Sequence, residues 1–153
     1  MTGRKEKWGR AAFWCYCLLM VWLLFGQRIG YVHEDTFAEY WHNSVNLTPF
    51  RTIRNYLYVA FRTSNGEMLR HIVVNLVGNI VMFIPLGFLL PWNWEGCRAF
   101  WKTALWVTAI ICGIEGLQLV TMLGSLDVDD LILNVAGAVM GYGIWRAARK
   151  FGF

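Results

Sequence analysis

Glu115 is the single charge in a stretch, residues 103–126, that is long enough to cross a bilayer. A charge near mid-membrane costs roughly 2.5–3.5 kcal/mol on insertion scales, so such a group faces a protein interior and has a partner or a task. Gln118 follows three residues later, Asp127-Val128-Asp129-Asp130 comes soon after, and Asn134 sits inside the next apolar run. Carboxyl and amide groups in this pattern can hydrogen-bond a ligand, exchange a proton as acid and base, or hold a divalent metal. An acid–base pair needs two groups whose environments drive their pKa values apart. Glu115 in an apolar run, set against aspartates at its edge, fits that description loosely. The sequence offers no nucleophile motif, His cluster or phosphate loop, and His33, His42 and His71 lie in or beside one loop without paired spacing. No cofactor and no metal is expected.

Four apolar segments are available to position these groups: residues 11–27, 71–92, 100–123 and 131–145. A span needs ~20 residues, so the fourth extends beyond both ends of its uncharged part. The expected fold is an all-α integral membrane protein, a bundle of four transmembrane helices. Basic residues in the tail 1–10 resemble a signal-peptide n-region, but Gly26-Gln27-Arg28 offers no small-x-small cleavage site, so the first segment reads as an uncleaved anchor. Lys and Arg cluster in that tail, at Arg98 and Lys102, and at Arg146, Arg149 and Lys150, whereas the loop before the fourth segment holds three acids and no base. The positive-inside rule then puts both termini in the cytoplasm. The first loop, 28–70, lies outside, although it carries Arg28, Arg51, Arg54, Arg62 and Arg70 beside Glu34, Asp35, Glu39 and Glu67. Within it Phe37, Tyr40, Trp41 and Val45 recur at helical spacing, as do Ile53, Tyr56, Leu57, Ala60 and Phe61, which predicts two short amphipathic helices. Pro49 marks a turn between them and Ser64-Asn65-Gly66 a second turn. Asn46-Leu47-Thr48 also matches a glycosylation sequon, a pattern common by chance.

Helical spacing gathers the polar groups on faces. Asn75 and Asn79 are four apart on one face of the second segment, with Gly78 beside them and Pro85, which predicts a kink, beyond. Glu115 and Gln118 share a face flanked by Gly113 and Gly116, and Asn134 follows Asp130 by four. Gly137 and Gly141 form a small-xxx-small pair that permits close helix packing. At ~1.5 Å per residue, Asn79 and Glu115 each lie roughly 12 Å below the outer ends of their segments, and Asn134 lies just inside its own. The expectation is a polar pocket of Asn75, Asn79, Glu115, Gln118, Asp127, Asp129, Asp130 and Asn134, open to the outer leaflet. A plainer alternative stands beside it. Polar residues in spans also glue helices together at about 0.6 kcal/mol each, and Asp129 and Asp130 can cap the fourth helix and suit its dipole.

Composition agrees with a membrane protein and excludes several classes. The chain is 57% hydrophobic and 16% charged, against about 25% charged in soluble domains. Nine tryptophans suit bilayer interfaces. The net charge of +4 flanks apolar runs rather than forming a patch, so no nucleic-acid partner is expected. Cys15, Cys17, Cys97 and Cys112 lack metal-ligand spacing and read as packing thiols.

Three blocks together resemble the VanZ family of bacterial membrane proteins: Asn46-Leu-Thr-Pro-Phe-Arg-Thr-Ile53, Asn75-Leu-Val-Gly-Asn-Ile-Val-Met-Phe-Ile-Pro-Leu-Gly-Phe88, and Glu115-Gly-Leu-Gln118 followed by Asp127-Val-Asp-Asp-Leu-Ile-Leu-Asn134 with Gly137 and Gly141. The resemblance covers residues 40–145. It implies a four-span helical protein of the bacterial cytoplasmic membrane with a role related to glycopeptide, teicoplanin-type resistance, and it supplies no catalytic mechanism. One departure is visible: many relatives carry an arginine before the acidic block, where this chain has Gly124-Ser125-Leu126.

Three functions fit the sequence. The first is a non-enzymatic envelope protein that binds membrane lipid, a lipid-linked cell-wall precursor or a lipoglycopeptide in the polar pocket, with Arg51 and Arg54 on the head group. The second is an intramembrane enzyme acting on a lipid-linked phosphate or acyl group through Glu115 and the aspartates. The third is a small transporter or a subunit of a larger assembly, for which four spans require oligomerisation.

Overall fold

The computed structural model describes residues 2–26, 29 and 36–151. Gln27, Arg28, His33, Glu34 and Asp35, on which the cleavage-site reading and part of the loop-charge reading rest, lie outside the described residues. Among the described residues the chain is all-α apart from one two-residue bridge. In order come α1 (Thr2–Leu24), α2 (Phe37–Ser44), β1 (Val45–Asn46), α3 (Arg51–Ala60), α4 (Gly66–Asn93), a 3-10 turn (Glu95–Cys97), α5 (Phe100–Val120), β2 (Leu126–Asp127) and α6 (Val128–Lys150). By length and composition α4, α5 and α6 can each cross a membrane.

Local chemistry sets the helix boundaries. The Asn65 side chain caps α4 by accepting from Glu67 N–H at 3.0 Å and Met68 N–H at 3.3 Å. Thr36 caps α2 in a reciprocal capping box with Glu39. Those Thr36 bonds hold the Glu39 carboxyl below its ordinary pKa. Asp127 caps α6 by accepting from Asp129 N–H at 2.8 Å, while Asp129 and Asp130 fall in the first turn and Arg149 and Lys150 in the last, as the helix dipole favours. α4 continues as helix through Pro85 and Pro91. A proline ring opens the hydrogen bonds of the preceding turn, and the Tyr16 hydroxyl donates to the Met82 carbonyl there at 3.0 Å.

The bundle is organised around α4. Gly137 lies against Ile80 and Gly141 against Ile84, both ascending, so α4 and α6 run parallel. A Cβ would come within 2.0 Å of the Ile80 carbonyl at Gly137, 1.9 Å of the Ile84 carbonyl at Gly141 and 1.8 Å of the Ala138 carbonyl at Gly87. Only glycine permits that approach, which is the small-xxx-small packing expected. By contrast, a Cβ at Gly78, Gly113 or Gly116 meets nothing within 4 Å. α1 runs antiparallel along α4, from Gly9, whose carbonyl accepts from Asn93 Nδ2 at 3.1 Å, to Leu24, whose carbonyl accepts from Gln118 Nε2 at 3.1 Å. The core joins Met20, Phe83, Leu86, Leu90, Val107, Ile111 and Ala138 with Cys97. Of the cysteines, Cys97 packs inside, Cys17 is half-buried, and Cys15 and Cys112 face outward. Outward-facing thiols correct the packing expectation at those two positions, since the outer face of these helices is apolar without being buried.

Candidate functional site

α3 brings no side chain of its own to its amino end. Its N-cap is Phe50, in left-handed backbone at φ 62°, without a side-chain cap bond. The first N–H groups of a helix need acceptors. Asp129 supplies them from α6, with a relative exposure of 0%. One of its oxygens accepts from Phe50 N–H, and the other accepts from Thr52 N–H at 2.7 Å and Ile53 N–H at 3.0 Å. Capping by Asp129 is therefore given to a helix of the first loop, not to α6, because Asp127 already occupies the α6 cap.

Asp127 fastens the same loop. Its carboxylate accepts from Thr52 Oγ1 at 2.6 Å and Asn46 Nδ2 at 3.2 Å, and Asn46 Nδ2 also reaches Thr52 Oγ1 at 3.0 Å. β1 pairs parallel with β2, placing Val45 beside Leu126 and Asn46 beside Asp127. The Tyr40 hydroxyl of α2 donates to the Gly124 carbonyl at 2.7 Å. The amide of Asn46 is thus engaged by the fold, whatever its sequon match.

Asp130 turns the other way, into the bundle, and accepts from Asn79 Nδ2 at 2.6 Å. Glu115 lies close by: its carboxyl is within hydrogen-bonding reach of the Asp127 backbone N–H and feels the charges of Asp130 and Asp127. It is 6% exposed. Its Oε1 has no hydrogen-bond partner among the described residues, and neither do the buried Oδ1 atoms of Asn75 and Asn134. Asn75 is one turn from Asn79, and Asn134 one turn from Asp130, so both amide acceptors lie within a helical turn of the Asn79–Asp130 bond, and Glu115 is near enough to feel the charge of Asp130. A buried polar atom left unpaired costs about 1–3 kcal/mol. Glu115, Asp127 and Asp129 have no ion pair among the described residues, where the ion pairs are the exposed Arg70–Glu67 and Arg98–Glu95.

Tyr56 of α3 overlooks this centre. Burial raises its phenol pKa, and the charges of Asp130 and then Asp127 raise it further. Its ring meets that of His71 edge-on at 6.2 Å. Gln118 serves a different junction: its side chain bonds Leu24 of α1, and its carbonyl accepts from Leu123 N–H at 2.9 Å and Gly124 N–H at 3.2 Å, closing the turn after α5. Arg51 and Arg54 are exposed on α3.

The structure therefore brings Asn79, Glu115 and Asp130 together, commits Asp127 and Asp129 to the loop, and sends Gln118 to α1. Asn46, Thr52, Tyr40 and Tyr56 take part without having been singled out for it. Their signal was present in the sequence: a helix start at Arg51 with no acceptor before it, and a loop block that carries the family resemblance yet had no stated job. No group of three His, Cys, Asp or Glu side chains among the described residues has a metal-holding arrangement.

A family model described as VanZ/LLP1 matches residues 13–149. Among curated proteins the chain is similar to Protein VanZ of Enterococcus faecium, at 27% identity over 135 residues, covering 88% of this chain and 71% of that protein. No solved structure matches.

Proposed function

The chain belongs to the VanZ/LLP1 family, and on that premise we propose that it is a multi-pass envelope protein of the bacterial cytoplasmic membrane whose polar centre receives a ligand from the outer leaflet. In this reading α1 is the fourth span, both termini are cytoplasmic, and α2 and α3 lie outside, folded over the end of the bundle. Its role is glycopeptide resistance of the teicoplanin type or the handling of an envelope lipid.

One observation carries the reading. Three helices present buried acceptor oxygens, on Asn75, Glu115 and Asn134, that are unpaired among the described residues. Three unpaired acceptors on three neighbouring helices favour a donor supplied from outside the chain over packing alone. The missing component is a donor: hydroxyl, amide N–H or ammonium. A lipid-linked cell-wall precursor or a lipoglycopeptide presents such groups on an acyl carrier. The acids disfavour a phosphate at the centre itself, so a phosphate would sit outside, on Arg51 and Arg54.

The test is expression in a teicoplanin-sensitive host of the wild type and of Glu115→Gln, with membrane amounts matched. Wild type is expected to raise the inhibitory concentration and the variant to lose most of that gain. Equal protection by both, or none by either, would count against the proposal.

The enzymatic alternative is narrowed by the same geometry. Asp127 and Asp129 are bonded to the loop through both carboxylate oxygens, so in that alternative Glu115 would work with Asp130, itself bonded to Asn79.

A further inference from the structure

Away from the Leu24–Gln118 bond and the core around Met20, α1 packs on α4 far more than on α5, and a groove runs between α1 and α5. Its wider end is a cleft of about 670 Å³ whose walls include Phe13, Trp94, Trp101, Lys102, Trp106 and Ile110. A narrower stretch of about 170 Å³ continues from it, sharing Phe13 and Ile110 and reaching Ile114, with Phe83 and Leu86 of α4 as its floor. The wider part alone falls within the roughly 300–1,000 Å³ of small-molecule sites. From Trp101 to Ile114 the groove follows α5 for about 20 Å at 1.5 Å per residue, somewhat more than half of the ~30 Å hydrocarbon core. One leaflet is about 15 Å of that core, so the groove spans its full depth.

The charge at its mouth selects among amphiphiles. Lys102 is half-buried, with Nζ 5.3 Å from the centre of the Trp101 ring. It has no ion pair among the described residues. The acid that lines the cleft, Glu95, is taken by Arg98 at 2.6 Å. Lys7 and Arg10 stand exposed on α1 on either side of Gly9, which bonds Asn93 at this same end. Tryptophans at the mouth fit the interfacial level of a bilayer. The groove is therefore apolar along its length and basic at one end, the complement of an acyl chain with an anionic head.

We propose that the α1–α5 groove is a binding site for an anionic phospholipid, with one acyl chain lying between Phe13 and Ile110 and the phosphate on Lys102. The site is separate from the polar centre and stands independently of the function proposed for it.

Native mass spectrometry of the full chain, released from nanodiscs containing equal phosphatidylglycerol and phosphatidylcholine, tests this. One retained phosphatidylglycerol per chain is expected. Lys102→Gln should weaken that retention about fivefold, the worth of one basic side chain at an anionic surface, without changing phosphatidylcholine. Ile110→Trp, which fills the groove, should abolish retention; circular dichroism and thermal unfolding identify a variant that has kept its fold. Equal retention of the two lipids, undiminished retention by Lys102→Gln, or lipid still held by a folded Ile110→Trp would overturn the proposal. So would a dimer that Ile110→Trp dissolves, since the occupant would then be a second copy of the chain.

Discussion

Asp129→Ala removes the acceptor of three backbone N–H groups at once. Thr52 and Ile53 donate to it at 2.7 and 3.0 Å, and Phe50 donates to its other oxygen. Hydrogen bonds to a charged group are worth about 1.5–3 kcal/mol each, so three at the lower end sum to about 4.5 kcal/mol. Phe50 is exposed and Thr52 half-buried, so water recovers part of this and about 3 kcal/mol remains. Every 1.4 kcal/mol is a factor of ten, which makes local opening of α3 about 100-fold more frequent. Hydrogen–deuterium exchange on the purified protein reads this directly: peptides across α3 should exchange about 100-fold faster, and peptides from the middle of α4 should not change. Asp129→Asn keeps one acceptor oxygen but turns an N–H₂ donor toward the backbone donors, so it should fall nearer to the alanine variant than to wild type. If α3 exchange in Asp129→Ala matches wild type, Asp129 does not hold the loop and the account of its burial is wrong.

Other consequences follow from the same contacts. Gly137→Ala drives a methyl against the Ile80 carbonyl, where 2.0 Å is available; it should cost about 1–3 kcal/mol and lower the thermal midpoint, while Gly113→Ala, with nothing within 4 Å, should not. Tyr40→Phe loses the 2.7 Å bond to Gly124 and should cost about 1 kcal/mol, read as faster exchange in α2 and the turn after α5. Tyr56 should ionise above the ordinary value of 10.0, seen as the alkaline absorbance difference between wild type and Tyr56→Phe. Its folded pKa is raised, so its contribution to stability is whole below pH 10 and is lost as pH rises through the folded value. Asp130→Asn should lower the midpoint without restoring it, because burial is the larger cause; an unmoved midpoint would show that Asp130 does not face Tyr56.

The helices were legible in the sequence because periodicity and hydropathy report them: α4 and α6 contain the predicted apolar segments, and α2 and α3 hold most of the two repeats, although Val45 pairs in β1 and Phe61 is the C-cap of α3. The Gly137–Gly141 contact was legible too, since small residues four apart have one common use in close-packed helices. What spacing does not carry is direction. Asp127, Asp129 and Asp130 look like one acidic block, yet they bond the first loop, the start of α3 and Asn79 of α4. Gln118 shares a helical face with Glu115 but meets Leu24, because three residues along a helix are enough to change the neighbouring element. Asn46 and Thr52 escaped because they join the site through tertiary bonds to Asp127, 75 or more residues away in the chain.

That division of labour separates Glu115 from the acids around it. Asp127 and Asp129 each hold two or more parts of the chain together, so their loss is a loss of structure. Glu115 offers an oxygen that nothing among the described residues uses, and it stands near the charges of Asp130 and Asp127. Burial and like charges at short range both act against an ionised carboxylate, so a neutral isostere carries no such penalty at this position. Glu115→Gln conserves shape, keeps an acceptor for the Asp127 N–H and carries no charge to desolvate or to set against Asp130 and Asp127. It should therefore leave the thermal midpoint unchanged or raised, while Asp129→Ala lowers it. If Glu115 serves a ligand, Glu115→Gln alone should dissociate stability from function: a fully folded protein that no longer protects its host. A Glu115→Gln protein that unfolds as readily as Asp129→Ala would instead make Glu115 one more structural acid, and the unpaired oxygens would lose their claim to a ligand.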